Sequence, residues 1–248
     1  MLNGRAVTQT VILAAGSGSR LTGNGGGVPK PLMMVNDRPL VAHALDHARA
    51  SGCTEAVVVI GHEGARVQAA VEALGGGLRV RFVENRETAS PNGVSLLAAE
   101  MAAAPMFFLQ MVDHVFAACA LPKLIAAPLT ASEAGRVLVD RTPRNIDLAD
   151  ATRVRLDGAR VLAIGKSVNP WDAIDAGCFV LTAAVFDALR RVPAAEPRTV
   201  SSGMRRLAAD GRLGAADLDG IEWADVDTPA DRELAEGLLQ KLLMARSQ

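Results

Sequence analysis

The stretch Val11–Leu32, VILAAGSGSRLTGNGGGVPKPL, sets two cations, Arg20 and Lys30, around a loop crowded with glycine. Glycine lets backbone N–H groups approach an anion with no Cβ in the way. After an apolar strand, such a loop sits where α/β sheets hold phosphates. Two common versions are excluded. A P-loop needs Gly-Lys-Ser/Thr, but Lys30 lies between Pro29 and Pro31; a dinucleotide fingerprint needs a third glycine after Gly16 and Gly18, and Leu21 stands there. A flexible linker accounts for Gly23–Gly27 but not for the flanking cations. Further along, Asp113 closes an apolar run as Met111-Val-Asp-His114, and Glu222-Trp-Ala-Asp225-Val-Asp227-Thr-Pro229 carries two more aspartates. Period-2 alternation puts Trp223, Asp225 and Asp227 on one face and Ala224 and Val226 on the other. Asp113 and Asp225 can then meet one hard cation, which prefers oxygen donors.

The elements that must position these residues follow from periodicity. Apolar, β-branched runs at Thr10–Ala15, Glu55–Gly61, Arg79–Glu84 and Met106–Val112 read as strands. Helical patterns fall between them at Pro39–Ala50, Glu63–Leu74 and Asn92–Ala103. Strands that are nearly all apolar, alternating with helices, imply a parallel sheet covered on both sides. The second half changes character. Val154–Val161 reads as a hairpin turning at Asp157-Gly158, and Ala173–Leu181 and Ile221–Val226 are further strands. Helices are expected at Ala184–Val192, Ser201–Ala209 and Pro229–Arg246; Thr228, Pro229 and Asp231 suit the start of the last. The expected architecture is a Rossmann-like, doubly wound, mostly parallel central sheet flanked by helices, with a smaller mixed β part in the second half. One domain over 1–248 is expected, with a soft boundary near 143–152 between a nucleotide-binding half (1–142) and an acceptor-binding half (143–248).

Composition narrows the function classes. A net charge of −1 argues against wholesale nucleic-acid binding, which uses a basic surface, and 3% aromatic residues leave little for stacking on bases. Cys53, Cys119 and Cys178 are odd in number and widely spaced, which suits reduced thiols. The N-terminus lacks the apolar core of a signal peptide, and no run approaches the ~20 apolar residues that cross a bilayer. A cytoplasmic protein with no membrane span is expected.

Leu13-Ala-Ala-Gly-Ser-Gly-Ser-Arg20-Leu, followed by Pro29-Lys30-Pro-Leu32, resembles the signature of nucleotidyltransferases that make nucleoside-diphosphate sugars and alcohols. Further matches, Asn92-Gly-Val-Ser95-Leu, Asp113-His114, Ile164-Gly-Lys166 and Ala173-Ile-Asp-Ala-Gly-Cys-Phe179, are most similar to inositol-1-phosphate cytidylyltransferases and run in order to the final helix. The resemblance implies that Leu13, Ala14, Ala15, Gly16, Ser17 and Gly18 cradle base and triphosphate, and that Arg20 and Lys30 hold the phosphates. It implies Mg2+ on Asp113 and Asp225, base reading near Asn92, Gly93 and Ser95, and an acceptor site at Lys166, Asp175, Gly177 and Asp227. Asp227 serves equally as a third carboxylate near the metal or as a partner of the following helix cap. Many of these enzymes are fused to a membrane alcohol-phosphotransferase; these 248 residues carry no such segment.

The reaction so implied is transfer of a cytidylyl group from CTP to a small phosphorylated alcohol, inositol 1-phosphate first, catalysed by Arg20, Lys30, Asp113 and Asp225. Phosphocholine, a phosphonate such as 2-hydroxyethylphosphonate, and sugar 1-phosphates stay open as acceptors, and a homodimer is admitted. A molybdopterin nucleotidyltransferase is disfavoured, since that family prefers Gly-Gly where Ala15-Gly16 stands. A non-catalytic nucleotide-binding module has no reason to keep both carboxylates and both cations. Among other residues, His43 and His47 read as a solvated helix face, Cys178 as buried, and Trp223 as core or as a stacking platform.

Overall fold

The computed structural model describes residues 7–16, 27–144 and 146–246, the last six of them by backbone alone. Ser17, Gly18 and Arg20, expected to bind the triphosphate, lie outside the described residues.

In chain order the elements are β1 (Gln9–Ala14), a short hairpin β2 (Met34–Val35) and β3 (Arg38–Pro39), α1 (Leu40–Ala50), β4 (Glu55–Ile60), α2 (Gly64–Leu74), β5 (Arg79–Glu84), α3 (Asn92–Ala98), β6 (Met106–Met111) and β7 (His114–Phe116). The second half contributes β8 (Gly135–Asp140), β9 (Arg153–Asp157), β10 (Arg160–Gly165), β11 (Ala173–Thr182), α4 (Ala184–Arg190), α5 (Val200–Ala209), β12 (Leu213–Asp217), β13 (Trp223–Asp225) and α6 (Pro229–Arg246). Nine strands form one sheet in the order β5-β4-β1-β6-β11-β8-β12-β10-β9. The block β5-β4-β1-β6 is parallel throughout. Beyond β6 the sheet is mixed: β11 runs antiparallel to both β6 and β8, while β12 runs parallel to β8.

Burial explains the apolar strands. Every residue of β1 and of β4 is buried. Val11 and Leu13 face one layer with Leu96, Phe186 and Met204; Ile12 and Ala14 face the other with Leu40, Leu45 and Val67. The strand order places a topological switch at β1, which has β4 on one side and β6 on the other. Leu13 is paired with Met111, so Ala15-Gly16 and Asp113 leave the sheet side by side. Crevices at such carboxyl ends are where open α/β sheets bind ligands.

The mixed strands of the second half continue the central sheet, because β11 spans from β6 to β9 and binds both halves together. Several details are corrected. Strands β7, β8 and β12 were not anticipated. β12 (LGAAD) has almost no β-branched character and is held by its parallel register with β8. α3 stops at Ala98, and residues 99–103 continue as turns. The face of α1 read as solvated is covered: His43 Nε2 meets the Val35 carbonyl at 3.0 Å, and His47 bonds Gln110 and Ala120. Cys178 is buried as expected.

Candidate active site

Asp113 stands in the two-residue turn, Val112-Asp113, between the end of β6 and the start of β7. β7 pairs antiparallel with β13 in the register Asp225↔His114, Ala224↔Val115, Trp223↔Phe116. The Val226 N–H donates to the Asp113 carbonyl at 3.0 Å and extends the ladder. Directly opposed residues of an antiparallel pair project from the same face. Ala224 and Val226 are buried with Ile12, Leu40 and Val115, so the alternation turns Asp225 towards Asp113-His114. One donor atom from each of Asp113, His114 and Asp225 lies within 4.8 Å of the others.

Lys30 enters this group from the turn Lys30–Leu32, where Pro29 and Pro31 limit the backbone. The lysine is 8% exposed. Its Nζ lies 2.5 Å from Asp113 Oδ2 and also pairs with Asp227 Oδ1. The other Asp113 oxygen accepts from His114 Nδ1 at 2.9 Å, and the same nitrogen lies 4.0 Å from Asp225 Oδ1.

Opposing terms set the charges. Burial alone would neutralise Lys30, but Asp113, Asp227 and Asp225 outweigh it and hold the ammonium well above the ordinary lysine range. Burial likewise opposes ionisation of Asp113, yet Lys30 and His114 pull it far below the usual carboxylate range. His114 rises to about 9, because Asp225, Asp113 and Asp175 overcome its burial. Asp225 is pushed up to about 6 by burial and by Asp113, against the pull of His114 and Lys30. Asp175 also rises to about 6 through burial, although its Oδ1 accepts from the Gly177 N–H at 2.8 Å.

Among the described residues, the group thus sets Asp113, Asp175, Asp225 and Asp227 against Lys30 and His114. Asp225 Oδ1 is buried without a hydrogen-bond partner, which costs free energy unless something fills the role. Asp113 and Asp225 offer hard oxygen donors, and His114 Nδ1 already serves Asp113. That combination fits Mg2+, which binds through one or two carboxylates and keeps waters.

A cleft of about 520 Å³ opens beside these groups, lined among others by Asn92, Asp113, Lys166, Asp175, Gly177 and Asp225. Of the residues expected to bind nucleotide, Leu13, Ala14 and Ala15 are buried at the end of β1, and Gly16 is exposed where the loop leaves. The Ala15 carbonyl accepts from His62 N. Asn92 reaches the cleft while its Oδ1 accepts from Val200 N at 2.9 Å. Gly93 and Ser95 lie deeper. A Cβ on Gly93 would meet the Arg198 carbonyl at 2.4 Å, and buried Ser95 accepts from Asn85 Nδ2 at 2.9 Å. Lys166 stands exposed at the rim, ion-paired with Asp150. Asp227, expected on the acceptor side, is a partner of Lys30. Asp140, which bonds Trp223 Nε1 at 2.9 Å, had no sequence signal beyond ending an apolar run.

Comparison with known proteins gives the family. A family profile described as the MobA-like NTP transferase domain matches residues 10–216. The bifunctional IPC transferase and DIPP synthase of Rubrobacter xylanophilus is 37% identical over 239 residues, covering 95% of this chain and 53% of that protein. The CMP-5'-(3-aminopropyl)phosphonate synthase of Streptomyces rubellomurinus is 32% identical, covering 92% of this chain and 38% of that protein. The chain thus spans about half the length, or less, of these curated relatives. Among solved structures, the inositol-1-phosphate CTP transferase from T. maritima matches with a TM-score of 0.82 at 24% identity, covering 96% of this chain and 97% of that one.

Proposed function

The chain belongs to the MobA-like NTP transferase domain family, and from that premise we infer that it transfers a cytidylyl group from CTP to a small phosphorylated alcohol, inositol 1-phosphate first, with release of pyrophosphate. The observation that carries this reading is the meeting of Asp113, Asp225 and Lys30 at the switch point of the sheet. The names of the relatives supply the nucleotide and the acceptor class: an IPC transferase covers nearly the whole chain.

The acceptor's phosphate attacks the α-phosphorus of CTP, a new P–O bond forms, and the bond to pyrophosphate breaks. A phosphate monoester with a second pKa near ~6 is already largely dianionic at neutral pH, so no protein base is needed. The barrier is repulsion between polyanions and charge building on the leaving group, so catalysis is positioning and neutralisation. Mg2+ held by Asp113 and Asp225 would supply charge neutralisation at the phosphates when bound. Lys30 holds an ammonium against Asp113 and Asp227, which line the cleft, and meets the phosphates from there. Arg20 adds a second cation from the glycine loop. Lys166 receives the acceptor's phosphate by exchanging Asp150 for it, and Asp175 with Gly177 lines the acceptor pocket. Residues 1–142 and 143–248 act as one unit, since Asp113 and Asp225 come from opposite halves.

A second reading has its own support: the aminopropylphosphonate relative favours a phosphonate acceptor on the same site. One experiment addresses both. Pyrophosphate release is measured with four nucleoside triphosphates crossed against inositol 1-phosphate, phosphocholine, 2-hydroxyethylphosphonate, 3-aminopropylphosphonate and sugar 1-phosphates. CTP with inositol 1-phosphate is expected to be fastest. Release with a phosphonate alone moves the function to the second reading, and binding of CTP without any release rejects the enzyme.

A further inference from the structure

The chain holds only two tryptophans and six phenylalanines, yet Phe116 and Trp223 lie in one column of rings with two of its four histidines. His47 stacks on Phe116 with centroids 4.9 Å apart, Phe116 on Trp223 at 6.1 Å, and Trp223 on His114 at 5.2 Å and 13°. The register of β7 and β13 alone puts Phe116 opposite Trp223. Trp223 is 4% exposed and its Nε1 donates to buried Asp140, so its ring plane is fixed from the side.

The far side of His114 is closed by a backbone that only glycine provides. Gly177 has φ +72°, and a Cβ there would lie 2.4 Å from His114 Cδ2, 2.5 Å from Nε2 and 2.9 Å from Cε1. Its N–H is engaged by Asp175, which fixes the turn. The imidazole is thus held between an indole face and a bare peptide, with Nδ1 directed at Asp113 Oδ1.

We propose that Trp223 and Gly177 form a clamp on His114, and that the clamped imidazole is a positioning residue that orients the Asp113 carboxylate for the metal. In this arrangement His114 is not itself a metal ligand, because its Nδ1 hydrogen lies on Asp113 and its Nε2 abuts Gly177. Gly177, read from the sequence as acceptor lining, acts through the space it leaves. A carboxylate with two free torsions otherwise swings to follow Lys30 alone. Partners that orient a metal ligand from outside typically govern affinity or activity by about 10–100-fold.

The inference rests on the metal site of the proposed function, and the test separates the two. Mn2+ binding to the full chain is measured by electron paramagnetic resonance without nucleotide, with circular dichroism melting on each variant. His114→Leu and His114→Asn both remove the imidazolium charge, and only Asn keeps an N–H in the place of Nδ1–H, so His114→Leu is expected to bind Mn2+ about 10–100-fold more weakly than His114→Asn. Gly177→Ala, which adds no ligand and leaves the imidazole in place, is expected to weaken Mn2+ by a similar factor relative to wild type, read without nucleotide or acceptor present. Should it fail to fold, Trp223→Phe, which keeps the stack, is expected to bind Mn2+ more tightly than Trp223→Leu. His114→Leu binding Mn2+ as tightly as His114→Asn overturns the clamp alone. Wild type taking up no Mn2+ overturns the metal site, and the clamp with it.

Discussion

The ring column ends in two histidines that the same fold treats in opposite ways. At one end His47 sits between α1 and the sheet, among neutral partners. Ala120 N–H donates to its Nε2 at 2.9 Å, so the ring hydrogen is on Nδ1, which donates to Gln110 Oε1 at 2.8 Å. Burial then drives its pKa down to about 4, with only the Gln110 bond opposing. At the other end, burial pushes His114 the same way, but Asp225, Asp113 and Asp175 reverse the outcome to about 9. Enclosure is common to both: with neutral partners it decides His47, and at His114 it is overruled. Partner charge makes the difference, since an opposite charge a few ångströms away in a poorly hydrated site outweighs a comparable loss of solvation. One end is therefore structural and closed, and the other is an electrostatic site with an unfilled carboxylate oxygen.

The largest effect that tests this division lies at the charged end. Lys30→Ala is expected to lower turnover on the order of 10²–10³-fold, comparable with losing one preorganised donor to developing charge. It also leaves Asp113 and Asp227 facing each other, so Mn2+ affinity is expected to hold or rise as turnover falls. Steady-state rates of pyrophosphate release beside a metal titration check both. Equal loss of both quantities would make Lys30 part of the metal's support instead of a phosphate contact.

The neutral end is tested through pH. His47 stays unprotonated in the native state down to about 4, while the unfolded chain takes up a proton near 6.5. Above 6.5 the two states agree and the full stability is present. As pH falls from 6.5 towards 4, only the unfolded state gains the proton, so stability declines, by up to about 3 kcal/mol. Urea midpoints of wild type against His47→Gln from pH 7.5 to 4 measure this. A curve for the variant with the same slope across that window would remove His47 as the cause.

How much of this was legible beforehand follows the same contrast. The charged end announced itself, because phosphate chemistry demands particular residue types: Lys30 between prolines, an aspartate at a strand end, and alternating Trp223, Asp225 and Asp227. The parallel block was legible because strands buried on both faces are continuously apolar, as Thr10–Ala15 and Glu55–Gly61 are. The neutral end was misread. On α1, His43, Asp46 and His47 look like a polar stripe facing water, and helical periodicity cannot reveal that the Val35 hairpin and the Phe116–Ala120 segment cover it. Strand β12 was missed for a related reason: LGAAD is strand only because β8 lies alongside. Nothing in the sequence marks Gly177 as the wall behind His114, since that function depends on a contact 63 residues away in the chain.

Converting one end into the other sharpens the comparison. Gln110→Glu is nearly isosteric and puts a carboxylate where His47 Nδ1 now meets an amide oxygen. An anion there is expected to raise the His47 pKa towards or past its ordinary value, and so flatten the loss of stability below pH 6.5. The exchange also removes the amide donor to Thr10 Oγ1, so the variant starts less stable at pH 7.5. The same urea series reads both changes, and an unaltered pH slope would mean that enclosure, not partner charge, governs His47.

The smallest effect belongs to the middle of the column. Phe116 stacks on His47 on one side and Trp223 on the other, but holds neither at a hydrogen-bonding atom. Phe116→Leu keeps an apolar side chain and loses two ring contacts, each worth about 0.5–1.5 kcal/mol beyond the buried area. A loss of about 1–3 kcal/mol in stability, measured by urea unfolding, is expected on that basis. Mn2+ affinity is expected to change less than about three-fold, because partners one contact removed couple weakly. His114 would still lie between Trp223, anchored by Asp140, and the peptide at Gly177. If Phe116→Leu instead weakens Mn2+ as much as Trp223→Leu does, the rings act as one rigid rod from α1 to Asp113. The two ends would then be a single device, and the pH sensitivity of His47 should appear in metal binding as well as in stability.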